Sequence, residues 1–200
     1  MDLIQQAVNI LKAGGIVVYP TDTSYGLAVD ATNVKAVKKL YRLKGRNFKK
    51  PIHIILPSKL SIGIFARISP WAKKLIDKFM PGPITLVLPL KAKAKSFKML
   101  SAGTKSLGIR QPDNKTALNL VKRFGRPITT TSANISGQPN CYSVAEVEKQ
   151  FKNSKIQPDF YLDGGKLAKN KPSTVLSLIK NVKILRVGPI SEKQIKQVLK

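Results

Sequence analysis

Apolar positions along the chain follow two different periods, which divide it into helices and strands. Apolar residues at helical spacing fill 3–11 and stop at Gly14-Gly15, and the run 16–19 that follows is typical of a buried strand. A second helical pattern starts near Asn33 and ends around Lys44-Gly45. The first 45 residues therefore predict a helix, a strand and a helix in alternation.

The same alternation continues to the end of the chain. Further helices are predicted over 71–79, 116–124, from 143 and from 191, and further strands over 52–56, 85–88, 107–110, 128–131, 160–162, 174–179 and 182–187. Ser143 and Glu146 have capping-box spacing, and the lysine-rich stretch 91–105 is predicted to be an exposed loop. The pattern favours an α/β fold: a single domain over 1–200, with a twisted mixed β-sheet flanked by helices and no second domain.

Ligands of such sheets usually bind beyond strand ends, so the polar loops there are candidate sites. The loop 20–26 carries four small polar residues that suit either a pocket or a tight turn. Lys44-Gly45-Arg46 suits either phosphate oxygens or a solvated helix terminus. The loop 130–137 is rich in hydrogen-bond donors, and Ser106 and Arg110 share a strand face by alternation. Taken one at a time, these loops leave both interpretations open.

Charge indicates the chemistry of the partners. The chain has 36 Lys and Arg against 10 Asp and Glu, a formal net charge of +26, which favours anionic substrates or nucleic acid. Eight cations and no acid lie between Lys35 and Lys50. Because most of the cations are lysines, a lysine-favouring composition spread over the whole surface is the alternative explanation.

Several classes of protein are excluded by what the sequence lacks. Cys141 and His53 are the single cysteine and histidine, so there is no Cys/His cluster for structural zinc. Neither the P-loop nor the Gly-x-Gly-x-x-Gly pattern occurs, and no Gly-x-Ser-x-Gly elbow accompanies His53 for a serine triad. No apolar run approaches the roughly 18 residues that span a bilayer. The N-terminal residues do not resemble a signal peptide, which predicts a cytoplasmic protein without membrane contact.

Taken together and in order, the motifs resemble the YrdC-like family of threonylcarbamoyl-AMP synthases, most closely its short single-domain TsaC type. The residues that carry the resemblance are Pro20-Thr21-Asp22-Thr23-Ser24-Tyr25-Gly26-Leu27, Lys44-Gly45-Arg46, Pro81-Gly82-Pro83-Ile84-Thr85, Arg110-Gln111-Pro112-Asp113, Ser132-Ala133-Asn134-Ile135-Ser136-Gly137, Ser173-Thr174-Val175 and Arg186-Val187-Gly188. They extend over nearly the whole chain.

The resemblance implies the YrdC-like fold and a nucleotidyltransferase activity. In that reaction L-threonine, bicarbonate and ATP give threonylcarbamoyl-AMP and pyrophosphate, as the first step of tRNA threonylcarbamoyladenosine modification. Magnesium is implied only as a companion of the ATP phosphates, without a metal site on the protein. The implied macromolecular partners are tRNA or double-stranded RNA and a threonylcarbamoyl transferase complex.

The resemblance also implies roles for particular residues. Lys44 and Arg46 are the implied catalytic pair. The implied ATP-binding residues are Lys44, Arg46, Ser106, Ser132, Asn134 and Arg186, and the implied threonine-binding residues are Thr21 or Thr23, Tyr25, Arg110 and Ser173. Longer members carry a histidine where Ile55 stands here, and its role is not transferred to His53. Longer members also append a second domain that covers the site, which leaves open how this site excludes water.

Two other functions remain as alternatives. One is an RNA-binding or ribosome-associated protein of the YciO type, which has the fold without the synthase chemistry. The other is a general nucleotide hydrolase, which would turn over ATP without threonine. The intact Lys44-x-Arg46 and Ser132-x-Asn134 pair favours the synthase.

Overall fold

The computed structural model describes residues 2–91 and 97–200. Within those ranges the helices are α1 (Leu3–Lys12), α2 (Val34–Lys44), α3 (Ile62–Phe65), α4 (Pro70–Phe79), α5 (Lys115–Phe124), α6 (Val144–Phe151) and α7 (Glu192–Leu199). The strands are β1 (Val17–Pro20), β2 (Tyr25–Ala28), β3 (His53–Ile55), β4 (Ile84–Pro89), β5 (Ser106–Arg110), β6 (Ile128–Ser132), β7 (Phe160–Tyr161), β8 (Thr174–Ser177) and β9 (Lys183–Arg186). Helices and strands alternate through much of this order, as the sequence predicts.

The strands form one mixed sheet in the order β7-β1-β2-β6-β3-β5-β4-β8-β9. Strand β3 lies between β6, which is antiparallel to it, and β5, which is parallel to it. Strand β4 pairs with β5 in antiparallel and with β8 in parallel orientation. The predicted α/β architecture with a mixed sheet is confirmed.

Helices cover the two faces of the sheet unequally. The larger core lies on the face that carries α2, α4, α6 and α7, where Leu40 of α2 and Ile195 of α7 are buried. On the opposite face α1 and α5 pack together over one side of the sheet, with Leu11 and Leu120 in a smaller core. The remainder of that second face is where polar side chains collect.

Strand alternation explains which side chains reach the second face. Leu107 and Ile109 of β5 enter the larger core, so Ser106 and Arg110 face the other way. The same rule applies to β3, where Ile54 is part of the larger core. His53 and Ile55 therefore share the second face.

The ends of α2 place the Lys-x-Arg motif. The side chain of Asn33 accepts hydrogen bonds from the backbone N–H groups of Lys35 and Ala36, which caps the first turn. Gly45 ends the helix in the left-handed conformation, with φ of 58°, which favours glycine. The chain therefore changes direction between Lys44 and Arg46, so the two side chains extend in different directions from the end of α2.

Some sequence predictions of local structure are wrong. Strand β2 and the short helix α3 were not predicted, and Tyr25 and Gly26 belong to β2 rather than to a loop. Within 91–105, Phe97 and Leu100 are buried rather than exposed, because both pack into the larger core; residues 92–96 lie outside the described residues. The Ser143 side chain caps α6, but Glu146 accepts from the N–H of Tyr142, so the reciprocal capping-box bond is absent there.

Replacing Leu40 with alanine tests the larger core. Leu40 is fully buried between α2 and the sheet, so Leu40→Ala should lower the free energy of unfolding by about 2–5 kcal/mol through lost burial and the cavity left behind. Urea denaturation measures the change. Activity per folded molecule should stay near that of the unmodified protein, and a specific loss of activity would contradict a purely structural role.

Candidate active site

A polar pocket lies on the second face of the sheet, beside the part that α1 and α5 cover. All five residues predicted to hold an amino acid contribute to its lining: Thr21, Thr23, Tyr25, Arg110 and Ser173. Arg46, Ser132 and Arg186, predicted on the nucleotide side, also line it. Thr21 and Arg186, which are 165 positions apart in sequence, are thus brought to one place by the sheet order.

Three of the predicted residues lie outside the lining of the pocket. Lys44 and Asn134 are buried next to it, behind Ser132. Ser106 shares the strand face of Arg110, but its hydroxyl pairs with that of Thr104 at 2.9 Å. Direct contact of these three side chains with a ligand stays a prediction.

Arg110 sits at the centre of a buried ion pair. Its guanidinium group donates to Asp22 Oδ1 and, over 3.1 Å, to Thr23 Oγ1. The two charged side chains are only 9% and 12% exposed. Arg110 Nε and Asp22 Oδ2 are both buried without a hydrogen-bond partner. Because orphaned buried polar atoms are costly, this pair is left with unused donor and acceptor capacity at the edge of the pocket.

The loop before β2 uses one threonine internally and turns the other toward Arg110. Thr21 Oγ1 donates to Ser24 O over 2.7 Å and accepts from the N–H of Thr23 over 3.1 Å. These contacts are those of a hydroxyl-stabilised turn. The turn and pocket interpretations of this loop are thus both correct, because the turn itself presents the Thr23 hydroxyl beside Arg110.

Tyr25 joins the pocket to the segment 163–165. Its hydroxyl accepts from the N–H of Gly164 over 2.8 Å, and lies 2.7 Å from Gly165 O and 2.9 Å from Asp163 Oδ1, to either of which it can donate. Burial raises the pKa of Tyr25 to about 12. The phenol is therefore a neutral, fully engaged anchor for that segment.

Lys44 is a buried cation that holds the loop after β6. The side chain is 1% exposed, and its ammonium group donates to Ser132 O, to Asn134 O over 2.7 Å and to Asn134 Oδ1 over 3.1 Å. An ammonium group has three N–H donors, so all of them are in use. Burial, together with the charge of Arg46, lowers the pKa of Lys44 to about 7, and the three oxygen atoms that accept from the ammonium group favour its charged form. Lys44 thus shapes the pocket wall from behind.

Two further arginines flank the pocket. Arg46 donates to Pro51 O over 2.9 Å and to Lys50 O over 3.3 Å, which fixes its side chain after the turn at Gly45. Arg186 donates to Ser173 O over 2.9 Å and to Ser173 Oγ over 3.1 Å. Ser173 Oγ also pairs with Thr85 Oγ1 at 2.9 Å. Arg46, Arg110 and Arg186 give the pocket a positive potential suited to anions.

His53 also lines the pocket, although sequence reasoning assigned it no role. The imidazole lies over Gly108, where a Cβ atom would come within 3.0 Å of Nε2 and closer to Cδ2. Burial and the charges of Arg186, Arg46 and Arg110 lower the pKa of His53 to about 4. The ring is therefore neutral at physiological pH. Strand alternation from Ile54 could have placed His53 on this face, but not inside the pocket.

This lowered pKa makes stability depend on pH. In the unfolded chain His53 has a pKa near 6.5, above its value of about 4 in the folded protein. The unfolded state therefore binds the proton more readily, so the stability that neutral His53 contributes is fully present above pH 6.5 and is lost as the pH falls toward 4. Relative to His53→Gln, the unmodified protein should lose about 2–3 kcal/mol of unfolding free energy between pH 7.5 and pH 4.5. Urea denaturation of both proteins at the two pH values measures the difference. Equal losses in both would contradict an imidazole that stays neutral in the folded protein.

The fold and the pocket define an α/β protein with an arginine-lined pocket on one face of a mixed sheet. Comparison with known families then identifies the chain: it belongs to the Sua5/YciO/YrdC family, whose sequence model, described as telomere recombination, matches residues 9–188. The family expected from the motifs is confirmed.

Three relatives illustrate the similarity. The Bacillus subtilis threonylcarbamoyl-AMP synthase is 37% identical over 98% of this chain and 56% of its own length. The structure of Pyrococcus abyssi Sua5 complexed with L-threonine matches with a TM-score of 0.89 and 33% identity, over 98% of this chain and 57% of that one. Escherichia coli YciO matches with a TM-score of 0.85 and 26% identity, over 96% and 92%. The chain spans little more than half of the first two, and its predicted single-domain organisation stays a prediction.

Among residues 2–91 and 97–200, no group of three or more His, Cys, Asp or Glu side chains is arranged to hold a metal ion. No helix in the same ranges has the length and apolar character needed to cross a membrane.

Proposed function

We propose that this protein is a threonylcarbamoyl-AMP synthase, which converts L-threonine, bicarbonate and ATP to threonylcarbamoyl-AMP and pyrophosphate. The observation that carries the proposal is the convergence of Arg46, Arg110 and Arg186 on one pocket whose other walls are mostly hydroxyl groups. Relatives that share 33–37% identity with almost the whole chain are named synthases or bind L-threonine, which supports the same activity.

Threonine occupies the Arg110 side of the pocket in this proposal. A substrate carboxylate would pair with the guanidinium group, whose Nε has no partner, and with the Ser173 hydroxyl. Thr23 is the better placed of the two candidate threonines, because the Thr21 hydroxyl is used in the turn. Tyr25 contributes by fixing the segment 163–165 beside the site.

ATP occupies the side formed by Arg46, Arg186 and the loop after β6. Arg46 and Arg186 supply the cations for phosphate oxygens, and Ser132 supplies a hydroxyl. Lys44 and Asn134 lie behind the loop after β6 and hold it in shape through their hydrogen bonds. Ser106, on the same strand face as Arg110, is the remaining hydroxyl that we assign to the nucleotide side. Of the expected catalytic pair, Arg46 is the catalytic cation of the proposal, and Lys44 is a positioning residue that acts through the loop that it holds.

The chemistry needs positioning more than it needs a strong nucleophile. Threonine carbamate is an anion that must attack the α-phosphorus of another anion, so fixed cations reduce the repulsion between them. Holding two reactants in place can supply roughly 7–11 kcal/mol of the barrier in favourable systems. The described pocket offers cations and hydroxyls rather than a carboxylate set, so magnesium would enter on the phosphates of ATP.

Pyrophosphate release tests the proposal. The protein is incubated with ATP and magnesium, with and without L-threonine and bicarbonate, and Arg46→Ala serves as the control. Release that requires both co-substrates is expected. ATP hydrolysis without threonine would favour a general nucleotide hydrolase, and untouched ATP together with tRNA binding would favour a YciO-type RNA-binding protein.

We also propose that the protein contacts RNA and that it is located in the cytoplasm. Exposed cations of α2 and the loop after it, among them Lys35, Lys38, Arg42 and Lys49, form one basic surface near Arg46. Contact with tRNA or double-stranded RNA, which follows from the tRNA-directed product, would use this surface and weaken as salt rises. A threonylcarbamoyl transferase complex is the proposed recipient of the product.

A further inference from the structure

His53 lines the pocket, but the proposed reaction has so far given it no role. Strand β3 places it directly between Gly108 of β5 and Thr130 of β6, in the middle of the second sheet face. It is partly exposed, and it lines the same cavity as Thr23, Arg110 and Ser173. No described residue forms a hydrogen bond to its imidazole.

The imidazole of His53 lies where a side chain at position 108 would be, so this position requires glycine. Any side chain on β5 at this position would collide with the ring, because a Cβ atom would lie 2.8 Å from Cγ and 3.0 Å from Nε2 of His53. Glycine therefore provides the space that the imidazole occupies over β5, at the edge of the cavity that His53 helps to line. A histidine that served only to fill the core would be expected to have a protein partner for its ring nitrogens.

The surroundings keep the ring neutral, so that it can accept a hydrogen bond. The charges acting on the imidazole are those of Arg186 from β9, Arg46 from the loop before β3 and Arg110 from β5, and each disfavours the imidazolium form. One ring nitrogen is thus a free acceptor at neutral pH. The same charges make a transiently formed imidazolium a strong acid, which would give its proton up readily.

We propose that His53 is a catalytic residue that accepts a hydrogen bond from the amino group of the amino-acid substrate and relays its proton during carbamate formation. This inference rests on the proposed synthase function. The substrate amine, once its ammonium proton has passed to solvent, forms a bond to the carbon of bicarbonate, and the C–OH bond of bicarbonate breaks. The amine proton passes to a ring nitrogen of His53 and then to the departing hydroxide, which leaves as water. The products are the carbamate anion and one water molecule, and His53 ends neutral.

A comparison of two reactions isolates this step. His53→Gln keeps a side chain that can form hydrogen bonds, but its amide group does not take up and release a proton near neutral pH. Its threonine- and bicarbonate-dependent release of pyrophosphate from ATP should fall about 100-fold, the lower end for general acid–base catalysis. Formation of ATP from threonylcarbamoyl-AMP and pyrophosphate, which does not need the relay, should change less than threefold. Ile54→Val, on the same strand but in the larger core, is the matched control and should leave both rates near normal.

Direct observation of the imidazole provides a second readout. His53 is the single histidine of the chain, so ¹⁵N-histidine labelling gives the signals of one ring. Its nitrogens should stay in the neutral pattern from pH 5.5 to 8, and L-threonine should shift the signal of the acceptor nitrogen. Gly108→Ala should displace the ring and reproduce the rate loss of His53→Gln.

The outcomes separate this inference from the proposed function. If the unmodified protein is active and His53→Gln loses both reactions equally, or neither, the proton relay is refuted while the synthase function stands. An imidazole signal indifferent to L-threonine would also refute it. If the unmodified protein releases no pyrophosphate with any combination of substrates, the synthase function fails and the role of His53 fails with it.

Discussion

Replacing Lys44 with alanine should lower both the activity and the stability of the protein. The substitution removes all three donors that hold Ser132 and Asn134, so buried carbonyl oxygens lose their partners at a cost of about 1–3 kcal/mol in unfolding free energy. The loop that lines the pocket then moves, and a displacement of about 1 Å can lower a rate about 100-fold. Urea denaturation and pyrophosphate release measure the two effects.

Arg46→Ala is the matched comparison. Arg46 is partly exposed and, among the residues that the structure describes, donates only to the carbonyls of Lys50 and Pro51, so its loss should leave stability within about 0.5 kcal/mol while activity still falls. The two residues of one motif should thus differ in stability and agree in activity. If Lys44→Ala were as stable as Arg46→Ala, the structural role of Lys44 would be wrong.

This contrast shows what the sequence can and cannot predict about the site. The sequence predicts that Lys44 and Arg46 stand at a helix end, because Asn33 and Gly45 are clear terminal signals. Both interpretations of the motif, phosphate binding and a solvated helix terminus, require an accessible Lys44 side chain, whereas the structure buries it. The direction of each side chain depends on the left-handed turn at Gly45 and on the loop from β6 that packs against α2, which is a tertiary contact.

For the fold, too, the sequence predicts local elements with clear terminal signals better than it predicts tertiary pairings. Long helices with caps, such as α2 and α4, lie within a residue or two of their expected bounds, because apolar period and capping residues agree. Strand β2 has only four residues, two of them Gly and Ala, which carry little strand signal. The sheet order depends on pairings between distant segments, so the motifs suggest a common pocket only through the family resemblance.

Arg110→Met should produce the largest loss of stability at the site. It removes the cation from a nearly buried ion pair and leaves the Asp22 carboxylate enclosed without its partner. Breaking such a pair from one side typically costs 3–5 kcal/mol, and a decrease of about that size is expected in urea denaturation. Binding of L-threonine, measured by calorimetry, should be abolished, because the carboxylate would lose its guanidinium partner.

The double variant Asp22→Asn/Arg110→Met separates stability from binding. Without the enclosed carboxylate the penalty disappears, so most of the lost unfolding free energy should return, as expected when both partners of a buried pair are replaced. Threonine binding should stay absent, because the cation is still missing. Asp22→Asn alone should keep Arg110 in place, since an amide oxygen can still accept from it, and should retain threonine binding. If the double variant regained binding together with stability, Arg110 would serve only to neutralise Asp22, and the carboxylate of threonine would have to bind elsewhere in the pocket.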